Sequence, residues 1–235
     1  MYKHKKVICI IPARGGSKGL PGKNIKKFVD RPLIAFSIEQ ALASRYIDRV
    51  IVSTDDRKIA KVSRKYGAEA PFLRPKRLAA DKASTIKALL HAIAYLEKKE
   101  HYQFDILVLL HATSPLRLPE DIDRCIELLC RKNTENVFSV AAAKCNPYFN
   151  MVEIKGGKVS LVKKGNFACR QAAPRVFQIN ASVYAWHRQA LNEKSGLFSL
   201  RSRIYLMPQQ RSVDIDDQTD FRYAELLMKE RLKKG

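Results

Sequence analysis

The chain has 235 residues, 46% of them hydrophobic, enough for one substantial α/β core with or without a small appended lobe and too few for several independent domains. Its 44 Lys and Arg against 23 Asp and Glu give a formal charge of +21, which suits small anionic ligands and also nucleic acid. The basic residues are spread along amphipathic segments, so specific nucleic-acid binding is not expected, only weak adhesion at low salt.

Met1 to Lys6 is basic, and the apolar run behind it, Val7 to Ile11, is five residues long, far short of a secretory core or a membrane span. A soluble, cytoplasmic protein without membrane attachment is expected. That run, extended to Pro12, reads as a buried strand opening into Ala-Arg-Gly-Gly-Ser-Lys-Gly-Leu-Pro-Gly-Lys-Asn. Gly15, Gly16, Gly19 and Gly22 let backbone N–H groups approach an anion, while Arg14, Lys18 and Lys23 bring charge to the same loop. This predicts a cradle for a nucleoside triphosphate, with Arg14 and Lys23 on the phosphates, Ser17 and Lys18 lining the loop and Asn24 bonding nearby. A P-loop does not fit: Ser17 stands where its first glycine belongs and Asn24 where its magnesium hydroxyl belongs. No glycine triplet has the dinucleotide-binding spacing either. The plain alternative is a flexible turn, which has little need of so much positive charge.

Farther along, helical patterns near Leu33 to Ser44, Arg57 to Tyr66, Thr85 to Lys98 and Pro119 to Lys132 alternate with apolar runs at Val50 to Ser53, Ile106 to Leu110 and Asn136 to Ala142. The alternation predicts βαβ units, a mostly parallel sheet flanked by helices, and a site at the carboxyl ends of its strands. Arg74, Asp81 and Ser84 fall in a loop and helix start after Pro71 to Leu73, where Ser84 serves equally well as a helix cap. From Lys144 to Phe167 the pattern changes: Met151 to Ile154, Gly156-Gly157 and Val159 to Val162 predict a β-hairpin with a two-glycine turn.

Asp214 and Asp216, one residue apart, would present both carboxylates on one face of an extended strand and could hold Mg²⁺, which accepts one or two carboxylates and completes its shell with phosphate oxygens and water. The alternative is capping of the next helix, the better role for Asp217. Asp220 to Lys234 reads as an amphipathic helix that serves packing and solubility. The five cysteines, Cys9, Cys125, Cys130, Cys145 and Cys169, are odd in number and form no CxxC pair, which predicts reduced thiols and no metal site.

Five segments together resemble one family: the glycine-rich loop, Val52-Ser53-Thr54-Asp55-Asp56, Leu78-Ala79-Ala80-Asp81-Lys82-Ala83-Ser84, Thr113-Ser114-Pro115-Leu116-Arg117 and Val213-Asp214-Ile215-Asp216. They are similar to the motifs of the CMP-sialic acid synthetases, the acylneuraminate cytidylyltransferases, over nearly the whole chain. The resemblance implies a Rossmann-like nucleotidyltransferase fold in which residues 1–235 form a single domain, with residues 144–180 as a dimerisation and sugar-closing lobe. It implies a homodimer and Mg²⁺-dependent transfer of CMP from CTP to an acidic nine-carbon sugar, the cytosine preference entering by resemblance alone. By the same resemblance Gly15, Gly16, Arg14, Ser17, Lys18, Asn24, Arg74, Asp81 and Ser84 surround the nucleotide, and Lys23, Arg170, Asp214 and Asp216 form the catalytic group. His111, Thr113, Ser114, Arg117, Gln171 and Asn180 face the sugar. Ala181 stands where the family has glycine in its Asn-Gly-x-x-Tyr stretch, and His111 where many members have a sugar-contacting glutamine, so a legionaminic or pseudaminic acid is as fitting an acceptor as sialic acid. His111 as a general base is a further reading, since an unperturbed imidazole titrates at about 6.5. Other readings left standing are transfer to Kdo or a sugar phosphate, and a noncatalytic nucleotide-binding or nucleic-acid-binding protein.

Overall fold

The computed structural model describes residues 1–81, 83–192, 196 and 198–234, the side chain of residue 234 excepted; Lys82 of the third motif segment lies outside the described residues. The chain order is β1 (Val7–Pro12), a short β2 (Lys27–Phe28) and β3 (Arg31–Pro32), α1 (Leu33–Leu42), β4 (Arg49–Ser53), α2 (Arg57–Lys65), α3 (Thr85–Lys99), β5 (Ile106–Leu110) and α4 (Pro119–Leu129). Then follow β6 (Asn136–Ala142), β7 (Val152–Lys155), β8 (Lys158–Leu161), β9 (Phe177–His187), β10 (Ser202–Leu206) and α5 (Gln218–Lys234).

Six strands form one sheet in the order β10-β6-β9-β5-β1-β4. β1 pairs in parallel with β4 and β5, and β10 in parallel with β6, while β9 runs antiparallel between β5 and β6. β1 and β5 are apolar throughout because helices cover both their faces. Val7, Cys9 and Ile11 point to Ile34 and Ile38 of α1, Ile59 of α2 and Ile122 and Ile126 of α4. Ile8 and Ile10 point the other way, to Leu89, Ile93 and Leu96 of α3. The chain places β4 on one side of β1 and then β5 on the other, so the strand order reverses at β1. A crevice opens there, outside the carboxyl ends of β1 and β5.

The expected fold class holds: a mostly parallel α/β sheet, with β7 and β8 as a separate hairpin. The hairpin turn is Gly156-Gly157, both with positive φ (55° and 75°), the conformation a two-residue turn demands. Four strands escaped the sequence reading, the two-residue β2 and β3 and the longer β9 and β10. The Asp214–Asp216 segment is also not a strand: it is an irregular stretch held by the Ile215 N–H on the Thr113 carbonyl (2.9 Å). Alternation survives there because Ile215 is fully buried, in a small cluster with Leu20, Phe28, Leu116, Phe221 and Met228. Asp217 is the cap of α5, accepting from the N–H groups of Thr219 (2.7 Å) and Asp220 (3.0 Å), while Asp220 accepts from those of Asp216 and Asp217.

Candidate active site

A cleft of about 260 Å³ sits at the crevice, lined by Arg14, Ser17, Lys23 and Asn24 from the first loop, Arg74, residues 78–81 and residues 83–85 from the segment leading into α3, and His111 and Thr113 from the end of β5. The first loop is shaped by short polar contacts. Asp55, at the carboxyl end of β4, accepts the Gly15 N–H (3.0 Å), and Asn24 Nδ2 donates to the Arg14 carbonyl (3.0 Å), tying the loop's two ends together. Gly22, with φ +66°, turns the chain into the one-turn helix that carries Lys23 and Asn24. Gly19 is needed for another reason: a Cβ there would lie 2.4 Å from the Asp216 carbonyl oxygen, so the glycine loop packs directly on the carboxylate segment.

Lys23 joins the same two parts. Its Nζ donates to the Ile215 carbonyl at 2.5 Å and stands 4.0 Å from Asp216 Oδ1. Asp214 is different from Asp216: burial pushes its carboxyl above the usual range, a bond from Thr113 opposes that, and the neighbouring Asp216 adds to the rise. Its Oδ1 is buried without a hydrogen-bond partner. An orphaned carboxylate oxygen beside a second, exposed carboxylate is the donor set a hard divalent cation wants, two protein oxygens with room for phosphate and water. The residues present therefore fit a divalent metal.

Across the cleft, Asp81 meets Arg14 NH1 at 2.6 Å and Lys18 Nζ at 2.5 Å. Those bonds, Lys18 first, hold its carboxyl below the usual range. One carboxylate thus occupies two cations of the phosphate cradle instead of standing free for a ribose. Arg74 is buried, and its Nε has no partner; burial lowers its pKa while Asp55 opposes the change. Ser84 occupies the cap position of α3, yet its hydroxyl makes no capping bond and faces the cleft. The His111 imidazole packs edge-on against Tyr184 at 5.9 Å, and burial, then Arg117 and Lys23, hold its pKa down to about 4. The ring is neutral at pH 7. It can donate one hydrogen bond and accept one, but it is a weak base.

Several expected site residues do not face this cleft. Arg117 is completely buried, its guanidinium bonded to the Ser182 hydroxyl (3.1 Å), the Ser37 hydroxyl (3.2 Å) and the His111 carbonyl. Ser114 is buried and donates to the Ala181 carbonyl (3.3 Å). Asn180 spends its amide on Ser139, Met207 and Ser212, clamping β9 to β6 and to the segment after β10. All three are engaged within the fold and do not line the cleft. Arg170 and Gln171 line a separate pocket of about 180 Å³ at the base of the lobe, where Arg170 NH2 donates to the Ala143 carbonyl (2.6 Å). Sequence reasoning missed Asp55 as a loop anchor, although its place just past a strand's carboxyl end was a usable signal. It also missed Ser37, which nothing in its helical neighbourhood betrays.

Residues 8–233 match the family described as Cytidylyltransferase. Among curated proteins, the post-translational flagellin modification protein B of Campylobacter coli is 39% identical over 225 residues, covering 96% of each chain. The CMP-N,N'-diacetyllegionaminic acid synthase of Campylobacter jejuni is 38% identical over 224 residues, covering 94% of each. Among solved structures, a CMP:2-keto-3-deoxy-manno-octonic acid synthetase complexed with CTP superposes with a TM-score of 0.73 over 96% of this chain and 99% of its own; at 19% identity it supports the fold alone. No described helix is long and apolar enough to cross a membrane.

Proposed function

The chain belongs to the cytidylyltransferase family, and from that premise we propose that it transfers CMP from CTP to the anomeric hydroxyl of a nonulosonic acid. The observation that carries this is the junction at Lys23, where the phosphate cradle and the Asp214–Asp216 carboxylates meet within one side chain's reach. In the reaction the anomeric oxygen bonds to the α-phosphorus, the bond from that phosphorus to the α,β-bridging oxygen breaks, pyrophosphate leaves, and the hydroxyl proton passes to solvent. Chemistry of this kind needs positioning and charge neutralisation more than covalent help.

Arg14 and Lys23, with the N–H groups of Gly15 and Gly16, hold the triphosphate; Ser17 and Lys18 line its path. Asp81 keeps Arg14 and Lys18 neutralised until phosphate oxygens replace it. Arg74 and Ser84 have the free donors that a base and ribose require, Arg74 Nε being the buried one. Asp214 and Asp216 would hold the cation, which we assign as Mg²⁺ because both donors are hard oxygens; when bound it neutralises phosphate charge as the leaving group departs. His111 and Thr113 stand where the acceptor enters, and a neutral imidazole suits recognition of a sugar hydroxyl or acetamido group. The legionaminic synthase among the relatives supports an acceptor of that class.

The lobe of residues 144–180 supports a homodimer. Val152 and Ile154 of β7 and Val159 of β8, the cross-strand partner of Ile154, are 62%, 72% and 66% exposed, and an isolated two-stranded hairpin is marginal in water. Ile204 and Leu206 of β10 and Ile179 of β9 extend uncovered apolar surface along the sheet. Arg170 and Gln171, apart from the cleft of their own protomer, would act on substrate through that assembly.

The test is pyrophosphate release with Mg²⁺, running CTP, UTP, GTP and ATP against N-acetylneuraminic, legionaminic and pseudaminic acids, Kdo and a hexose 1-phosphate. Release that needs CTP and one nonulosonic acid is expected. Release only with Kdo or the sugar phosphate would overturn the acceptor, and silence across the matrix in folded protein would overturn the activity.

A further inference from the structure

Arg117 is a puzzle of charge. It has no solvent exposure, burial draws its pKa down to about 10 so that it stays cationic at pH 7, and no carboxylate lies within ion-pair distance among the described residues. A buried, unpaired charge is expensive, and apolar residues of similar size commonly serve stability as well or better. The guanidinium must therefore do something a leucine or methionine cannot.

Its three acceptors come from three elements, two of them the paired strands β5 and β9 and the third the helix packed on the sheet. Nε reaches Ser182 on β9, NH1 reaches Ser37 on α1, and NH2 reaches the His111 carbonyl at the end of β5. Ser37 also donates to the His111 carbonyl (3.2 Å), and the Ser114 N–H approaches it at 3.4 Å, so this one oxygen is held from three sides. Beside Ser182, Ala181 holds the left-handed φ of +51°, and the β6–β9 register slips between Phe138 and Val140. The guanidinium fork thus ties the backbone of His111 to a strained bulge, and a planar, rigid fork does this better than a lysine ammonium.

We propose that Arg117 is a positioning residue for the acceptor half of the site: by fixing the His111 backbone against α1 and the 181–182 bulge, it sets where the imidazole meets the acceptor. This deepens the proposed function and rests on it for the identity of the acceptor. It separates charge from geometry, since Arg117→Lys keeps the cation and loses the fork.

The experiment compares wild type, Arg117→Lys, His111→Ala and the double variant in steady-state pyrophosphate release, with CTP and acceptor varied separately. Arg117→Lys should raise the acceptor KM about tenfold or more with the CTP KM unchanged. In the His111→Ala background the same change should cost less than about twofold, because residues acting through one another are not additive. Equal effects in both backgrounds, or a parallel rise in the CTP KM, would overturn the proposal. A readout without substrate accompanies it: the His111 ring protons, shifted by the Tyr184 ring 5.9 Å away, should move in Arg117→Lys. Unmoved resonances would also overturn the inference, whereas moved resonances in an enzyme that turns over only Kdo or the sugar phosphate would overturn the acceptor reading alone. If Arg117→Lys does not fold, Ser182→Ala, which removes one acceptor of the fork, is measured in the same way and against the same outcomes.

Discussion

Replacing Gly19 by alanine adds one methyl group and tests the junction between the phosphate cradle and the carboxylates. The new Cβ would stand 2.4 Å from the Asp216 carbonyl oxygen, whereas ordinary contact begins at 3.4 Å, so one backbone must retreat by about 1 Å. The obstructing atom is main chain and cannot rotate aside. Overpacking of this kind typically costs ~1–3 kcal/mol. At roughly 2–4 °C per kcal/mol for a chain of this size, the melting temperature should fall by roughly 2–12 °C. Catalysis should suffer more, because a 1 Å misplacement of groups near the reacting atoms costs on the order of 10²-fold. The assay is pyrophosphate release at saturating CTP and acceptor, with a thermal melt on the same samples. Gly16→Ala is the stability control, as its added Cβ would meet nothing within 4 Å. Wild-type turnover and melting in Gly19→Ala would show that the loop and the Asp216 segment do not touch as described.

Asp214→Asn should leave the fold intact and reduce Mg²⁺-dependent turnover by at least about 10²-fold, the order of effect seen when one precisely placed electrostatic group is lost; a variant with ordinary metal dependence would remove Asp214 from the cation site. Asp81→Asn frees Arg14 and Lys18, so calorimetry should find CTP bound a few-fold tighter and no more, since exposed ion pairs are weak; weaker binding would mean that Asp81 touches the nucleotide itself. For His111, the folded chain takes its proton at about 4 and the unfolded chain at about 6.5, so between those values the unfolded state binds more protons and stability falls as pH is lowered. His111→Gln removes that contribution, and its urea midpoint should drop less than that of wild type between pH 7 and 4.5. Equal drops would show that the ring is not held neutral by its surroundings.

The parts of the fold that could be read in advance are those governed by local chemistry. Val7 to Pro12 is apolar on both faces and ends in glycines, so strand and cradle announce themselves; Gly156-Gly157 needs positive φ, so the hairpin does too. β9 was missed although Phe177 to Val183 alternates apolar and polar residues, a usable strand signal; only its insertion between β5 and β6 is decided by tertiary packing. Asn180 is polar for the sake of Ser139 and Ser212, partners more than thirty residues away. Arg117 defeated inspection because arginine is almost never fully buried, so a surface or substrate contact is the natural first reading. Arg14, Ser17, Lys23 and Asn24 could be singled out because a glycine-rich basic loop after a strand is itself a local signal, and they line the cleft; the residues packed behind it follow from three-dimensional fit alone.

The small apolar cluster around Ile215 has a consequence for the order in which this protein is made. It joins Leu20 of the first loop to Phe221 and Met228 of the last helix, so the cradle is braced by residues at opposite ends of the chain. Synthesis runs from the N-terminus, and domains fold as their segments emerge. β1, β4 and β5 can pair while the ribosome is still at work, but the loop that follows β1 has no finished support until α5 has left the exit tunnel. A chain still being translated thus has the sheet before it has the brace of its first loop, and truncation ahead of Phe221 should leave the strands paired and that loop unsupported.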